Sequence, residues 1–225
     1  MDEVLAMFPL GSVLLPGMVL PLHVFEDRYR RLVDDVLAAP EPEFGVALIE
    51  RGSEVGGGDI RAMSACVARV IEAARTEDGR WAIVAVGTDP LEVREWMPDD
   101  PYPRARVRRR GPADDAPGVP AAVPDGTEAA LGALESRVRR LAALATELGA
   151  PSPGELDFSE DPHLRSFQLA VITPLGAHDR YRILCAADLG ARVALLTDLV
   201  AEQEELLAAR LAFGGPDDPG DPGGP

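Results

Sequence analysis

LLPGMVLPLHVFEDRYRRL, running from Leu14 to Leu32, is the stretch on which the fold is decided. Pro16-Gly17 is a turn signal, because proline presets one turn position and glycine supplies the left-handed one. After it, side chains alternate as they do along a strand. Val19, Pro21, His23 and Phe25 share one face, and Met18, Leu20, Leu22 and Val24 the other. Both faces are largely apolar, so the pattern predicts a strand covered on both sides. At Phe25 the period changes from two to 3.6, which places Phe25, Tyr29, Leu32, Val33 and Val36 on one helical face with Phe25 and Tyr29 in the core. Glu26 with Arg30 and Asp27 with Arg31 are spaced as i,i+4 ion pairs, and acids in a first helical turn suit the macrodipole. The stretch therefore predicts one strand-to-helix unit.

Outward from it, the first part of the chain is strand-rich. Val4 to Leu10 precedes the stretch, and Pro40 to Pro42 stops the helix that follows it. FGVALI, Phe44 to Ile49, reads as a buried strand. Gly52 to Asp59 reads as a flexible loop. Cys66 to Ala74 and Trp81 to Val86 read as strands joined through a turn at Asp78-Gly79. Leu91 to Trp96 continues the sheet beyond a bend at Pro90, and Tyr102 to Arg110 closes it. Many short strands with one inserted helix predict a small, partly closed β-barrel over residues 1–111.

Residues 112–126, rich in Pro, Gly, Ala and Asp without periodicity, read as a linker. Residues 127–212 read as a helical bundle. Thr127 is the expected N-cap of its first helix, and Leu131, Leu134, Val138, Leu141, Ala145 and Leu148 form that helix's apolar stripe. His163 to Ile172, Asp179 to Ala187 and a long helix from Leu189 to Leu211 follow. Residues 213–225, GGPDDPGDPGGP with its preceding residue, cannot form a core and read as a disordered tail. The fold class is α+β.

Composition excludes several functions. The net charge is −16, and all 22 basic residues are arginine. The acidic balance opposes nucleic-acid binding, which needs a positive field. Without lysine there is no P-loop, no Schiff-base chemistry and no Ser–Lys dyad. No apolar run approaches the ~20 residues of a membrane span. The opening MDEV carries acids where a signal peptide is basic, so the expected location is the cytoplasm. Cys66 and Cys185 form no cluster and read as small buried hydrophobes. His23, His163 and His178 share no metal-ligand spacing, and no carboxylate pair stands in a catalytic context. The expectation is a protein that is not an enzyme and carries no cofactor or metal.

One basic concentration remains, RARVRRR from Arg104 to Arg110. On a strand, Arg104, Arg106, Arg108 and Arg110 would share one face, opposite Ala105, Val107 and Arg109. Such a row is a solvated face that resists edge pairing, or a site for an acidic segment of a client or of this chain's own helices.

The ordered pattern of FPLGSVLLPGMVLPLHVFEDRYRRLV, Phe8 to Val33, resembles the opening of the N-terminal, substrate-binding domain of Lon proteases, here without ATPase or peptidase segments. FGVALIERG from Phe44, VARVIEAARTEDGRWAIVAVG from Val67 and DRYRILCAADLGARVALLTDLVAEQEELL from Asp179 are similar to later parts of the same family. Two departures stand out. Ala65-Cys66 replaces a Gly-Thr, and Thr88-Asp89-Pro90-Leu91 stands where an Arg-Phe pair is common. The resemblance implies a PUA-like pseudo-barrel followed by a helical bundle. It also implies protein binding rather than catalysis, with unfolded or exposed polypeptide segments as clients and a separate protease as collaborator. The alternative is a PUA-like barrel that binds nucleic acid or a small ligand. The family-motif residues Pro16, Gly17, Pro21, His23, Phe25, Glu26, Arg28 and Tyr29 are expected to be structural.

Overall fold

The computed structural model describes residues 2–51, 60–111, 126–150, 154 and 156–212. The loop expected at 52–59, nearly all of the expected linker and the expected tail lie outside the described residues. Among the described residues, six strands and five helices follow in the order β1 (Glu3–Leu10), β2 (Val19–Val24), α1 (Asp27–Ala38), β3 (Glu43–Arg51), β4 (Ile60–Arg75), β5 (Trp81–Trp96), β6 (Arg104–Arg109), α2 (Thr127–Glu147), α3 (Pro162–Ile172), α4 (Ala177–Cys185) and α5 (Leu189–Ala212). The fold is α+β, a PUA-like pseudo-barrel with one inserted helix, followed by helices.

The sheet order is β2-β5-β4-β3-β1-β6, and β6 also pairs with β5. That last pairing closes β5, β4, β3, β1 and β6 into a ring. β1 and β3 run parallel, and the remaining pairs are antiparallel. β2 stays outside the ring, bonded only to the first half of β5. The sequence breaks β5 at Pro90, whereas the structure carries it through as one strand of 16 residues. Gly87 to Pro90 spans three steps of β5 against two steps of β4, Ala68 to Cys66. This bulge at Thr88-Asp89 absorbs the bend without ending the strand.

Strand alternation produces two cores. Met7, Ala47, Ala65, Val67, Leu91, Val93, Ala105 and Val107 fill the ring's interior, none more than 3% exposed. Several of these are small, as a five-stranded ring requires. Gly45 is smallest of all, because a Cβ there would lie 2.4 Å from the Met7 Sδ. The larger core lies on the opposite sheet face. There Phe8, Phe44, Leu20 and Ile83 meet Tyr29, Leu32, Val33 and Val36 of α1, and continue to Leu131, Phe167, Ile183 and Leu196 of the helices. The Phe8 and Tyr29 rings stack with centroids 4.2 Å apart. The Tyr102 hydroxyl donates to Asp35 at 2.7 Å, tying α1 to the barrel; burial, then this neighbouring carboxylate, pushes the phenol up to about 12.

Phe25 corrects the sequence reading. It is 53% exposed, outside the core that Tyr29 enters. Glu26 is extended, with φ −70° and ψ 138°, and α1 begins only at Asp27. Phe25 therefore keeps the strand's phase with Val19, Pro21 and His23, and the period changes two residues later than the apolar pattern suggests. The same phase corrects β2, which is covered on one face and open on the other. The ion pairs also shift. Arg28 meets Glu26 at 3.1 Å and Arg30 meets Asp27 at 3.5 Å, in place of the i,i+4 pairs. At α2 the N-cap is Gly126, at φ 84°, and Thr127 is the first helical residue. For α3 it is Asp161, whose carboxylate accepts from the His163 N–H at 3.1 Å.

Candidate functional site

Two features of the surface have the chemistry of binding sites, and both depend on the turn between β1 and β2. The Met18 N–H donates to the Leu15 carbonyl at 3.0 Å, which closes a turn with Pro16 and Gly17 at its centre. Gly17 has φ 81°, the left-handed value glycine reaches without strain. The turn is latched to β5 by Gly17 N–H to the Gly87 carbonyl (2.8 Å) and Gly87 N–H to the Met18 carbonyl (2.9 Å). A Cβ at Gly87 would lie 2.2 Å from the Leu15 carbonyl oxygen, so only glycine permits this approach. Pro16 and Gly17 of the motif thus form the centre of the turn that these bonds hold against β5.

The first feature is the open face of the ribbon β2-β5-β4. Directly paired residues project to the same side of a sheet. Val19 pairs with Val86, Pro21 with Val84 and His23 with Ala82, so these side chains share one face. On β4, Ile71 is the extra residue of a second bulge, between the pairs Val70–Ala85 and Glu72–Val84. Val19 is 57% exposed and Ile71 is 65% exposed, with Phe25 at the ribbon's far end. Pro21 and His23 are exposed as well, and Val84 and Val86 are partly so. Beyond Phe25 the surface dips into a shallow depression lined by His23, Trp81, Arg75 and Arg80. A run of exposed valine, proline, isoleucine and phenylalanine on neighbouring strands is the kind of patch that marks an interaction surface.

The second feature is a cleft of about 400 Å³ where the barrel meets the helices. Pro16, Gly17, Val86, Gly87 and the bulge residues Thr88, Asp89 and Pro90 form its barrel side. Asp161, His163, Leu164 and Phe167 of α3 and its cap, Ala186, Arg192 of α5, and Arg110 with Gly111 complete it. Arg192 is only 5% exposed, its Nε donates to the Ser166 hydroxyl at 2.7 Å, and its guanidinium lies 4.0 Å above the Phe167 ring. One Nη of Arg192 is 3.5 Å from the His163 Nδ1. Thr88 Oγ1 and Arg110 Nε are buried beside the cleft without a hydrogen-bond partner. The sequence reading passed over this site, since its residues are scattered through the chain. One signal was present. The departure at Thr88-Asp89-Pro90-Leu91 from the family pattern falls on the bulge that lines the cleft.

The arginine run is engaged within the chain. Arg106 lies 3.6 Å from Glu95, and Arg108 lies 3.0 Å from Glu92. Both carboxylates belong to the neighbouring strand β5. Arg110 donates to the main-chain carbonyls of Leu184 and Ala186 at the end of α4. Arg104 has its Nε buried without a hydrogen-bond partner. Arg109, in the interior phase of β6, closes one end of the barrel by meeting Glu3 of β1 and Glu43 of β3, each at 2.7 Å, and Asp89 of β5 at 3.5 Å. Glu43 also meets Arg69 of β4 at 2.8 Å. Burial pushes the Glu43 carboxyl up, but the hydrogen bonds from Arg109 and Arg69 outweigh it and hold the group below the usual carboxylate range.

Among the described residues, no group of His, Cys, Asp and Glu has the geometry to hold a metal ion. His163 and His178 fall in the first turns of α3 and α4, and His23 is exposed on β2. Both cysteines are free, Cys66 fully buried and Cys185 partly so. Burial pushes the Cys66 thiol up, away from the reactive thiolate. Among the described residues no helix is long and apolar enough to cross a membrane.

Comparison with known proteins places this geometry in a family. The family model of the ATP-dependent protease La (LON) substrate-binding domain matches residues 4–202. Lon protease 2 of Sorangium cellulosum is 29% identical over 207 residues, covering 89% of this chain and 24% of that protein. Lon protease of Roseiflexus castenholzii is 27% identical, covering 91% of this chain and 25% of that protein. The chain thus spans about a quarter of the length of these curated relatives. The crystal structure of a Lon N-terminal domain protein from Xanthomonas campestris superposes with a TM-score of 0.61 at 26% identity, over 92% of this chain and 98% of that one. The N-terminal domain of Mycobacterium avium complex Lon protease, at 17% identity and a TM-score of 0.59, shares the fold.

Proposed function

The chain belongs to the Lon substrate-binding domain family, and we propose that it is a non-catalytic module that holds unfolded or exposed polypeptide segments on the open face of the β2-β5-β4 ribbon. The observation that carries this reading is the exposure of Val19, Phe25 and Ile71, each more than half open to solvent, on a face that also holds Pro21, His23, Val84 and Val86 and, by their pairing with Val86 and Val84, Arg69 and Glu72. Removing apolar surface from water contributes roughly 25 cal/mol per Å². A client with an exposed apolar stretch therefore gains from lying on this face, and a folded client with its apolar residues inside does not.

Pro21 tunes the mode of binding. Among the described residues β2 is the free edge of the ribbon, and proline has no N–H to offer an added strand. Contact is then made through side chains on the face more than through strand addition at the edge. Hydrolysis of a bound client is assigned to a collaborating protease, and the module acts as an adaptor that delivers the client. The sequence contains no lysine for a Ser–Lys dyad. Two free cysteines suit a reducing compartment, and we place the protein in the cytoplasm.

The test is binding of a permanently unfolded, fluorescently labelled protein to the purified chain and to a Val19→Ser/Phe25→Ser/Ile71→Ser variant. These positions lie outside the core, so circular dichroism and melting should match wild type. Binding that weakens about tenfold or more supports the reading. Equal binding by the two proteins would remove the ribbon face from the account, and no binding by either would remove the module function.

A further inference from the structure

We propose that the cleft between barrel and helices receives one tyrosine side chain of a client, its ring against Leu164 and Phe167 and its phenol oxygen meeting Thr88 Oγ1 and Arg110 Nε. The inference rests on the client-binding reading above and names the residue by which the client is anchored.

Charge comes first, because it decides what kind of group can enter. Asp89 and Asp161 stand in the lining against Arg110 and Arg192, so these four groups leave the cleft without net charge. Each of the four is also held within the chain. Asp89 lies 3.5 Å from Arg109, and Asp161 accepts from the His163 N–H at 3.1 Å. Arg110 donates to the main-chain carbonyls of Leu184 and Ala186, and Arg192 donates to the Ser166 hydroxyl while lying over the Phe167 ring. An ionised side chain would leave water for a site with no opposite charge to spare. The occupant is therefore uncharged.

Shape and hydrogen bonding narrow it further. At about 400 Å³ the cleft is at the small end of ligand pockets, with room for one large side chain and not for a folded element. Pro16 and Phe167 are buried parts of its wall, and Val86, Pro90 and Leu164 are partly exposed along it. An aromatic ring suits that wall. Two side-chain atoms of the lining, Thr88 Oγ1 and Arg110 Nε, are buried with no hydrogen-bond partner among the described residues. The arginine N–H can only donate, whereas the threonine hydroxyl donates or accepts. A phenol oxygen accepts from the first and exchanges a hydrogen bond with the second. Phenylalanine leaves both unmet, and an indole N–H can serve only the hydroxyl.

Position supplies the remaining argument. Val86 lines the cleft and also pairs with Val19 on the ribbon face. A segment lying along β5 on that face reaches the cleft at Val86. Its apolar residues then cover the ribbon while one ring enters the cleft.

The test uses one labelled apolar nonapeptide, made with tyrosine or with phenylalanine at its centre, titrated into the full chain by fluorescence anisotropy. The tyrosine peptide is expected to bind about tenfold more tightly, the scale of a hydrogen bond to a charged donor. In T88V, which keeps the shape of the side chain and removes its hydroxyl, that preference should fall to about threefold or less. In A186F, which fills the cleft from the end of α4, the two peptides should bind alike; this variant replaces T88V should T88V fail to fold by circular dichroism. Equal affinity of the two peptides for the wild-type chain overturns this proposal and leaves the ribbon reading standing. Failure of both peptides to bind overturns the two together. A preference that survives undiminished in both T88V and A186F places the phenol elsewhere and also overturns it.

Discussion

One face of one sheet does two different things in this molecule. On β4, Ala65 and Val67 point into the closed ring and are fully buried, and Arg69, two residues on and in the same phase, points to solvent. On β5, Leu91 and Val93 are inside, whereas Val84 and Val86 face the same side and are partly exposed. The difference lies in the partner strand. The second half of β5 pairs with β6, which returns to β1 and closes the ring. The first half pairs with β2, and among the described residues no strand pairs with the far edge of β2 to curl over that face. Apolar residues on the closed half stabilise the fold. The same residue types on the open half stay in contact with solvent, where the proposed client would lie, and the bulge at Thr88-Asp89 marks the boundary between the two.

The comparison breaks first if the closed half does not carry stability. Leu91→Ala, at a fully buried position within the ring, should cost about 2–5 kcal/mol in a denaturant titration, through lost transfer energy and the cavity left behind. Gly87→Ala should cost about 1–3 kcal/mol or more, since its methyl would collide with the Leu15 main chain that latches the turn to β5. A variant that melts like wild type would show that the latch is loose.

The ion cluster at the barrel's end sharpens the comparison through pH. The Glu43 value is lowered in the folded state, so its contribution is fully present above the ordinary Glu value of about 4.3 and is lost as pH falls through the lower folded one. Glu43→Gln should cost about 1–3 kcal/mol at pH 7, discounted because Arg69 and Arg109 keep part of their solvent. The gap from wild type should narrow in melting scans below about pH 4. A gap that stays constant down to acid unfolding would assign the loss to packing instead.

The smallest effect belongs to the open half. Phe25→Ala should change stability by about 1 kcal/mol or less, because the ring is already half exposed. A loss of 3 kcal/mol or more, the size expected for a fully buried ring, would return Phe25 to the core.

Much of the architecture was legible in the sequence because alternation and helical periodicity report burial directly. Ala105, Val107 and Arg109 share the interior phase of β6 in the structure as they do on paper, and the apolar stripe of α2 is buried at Leu131, Leu134, Val138 and Leu141. Pattern alone misplaced Phe25, because an aromatic at a strand-to-helix junction satisfies both periods and only the extended Glu26 decides between them. It also read β2 as covered twice, since apolar character says that a face avoids water but not that anything covers it. The cleft was beyond reach for another reason. Arg110, Asp161, His163 and Arg192 converge only through packing of the helices on the barrel. The partners of Arg106 and Arg108 depend on the register of β5 against β6, which charge spacing does not set.

The most direct measurement is methyl and amide NMR of the isotopically labelled chain during titration with an unfolded client. The account predicts shifts confined to Val19, Phe25, Ile71, Val84 and Val86, with Leu91 and Val93 of the same strand unmoved. Shifts centred on α2 and α5, with the ribbon silent, would contradict it.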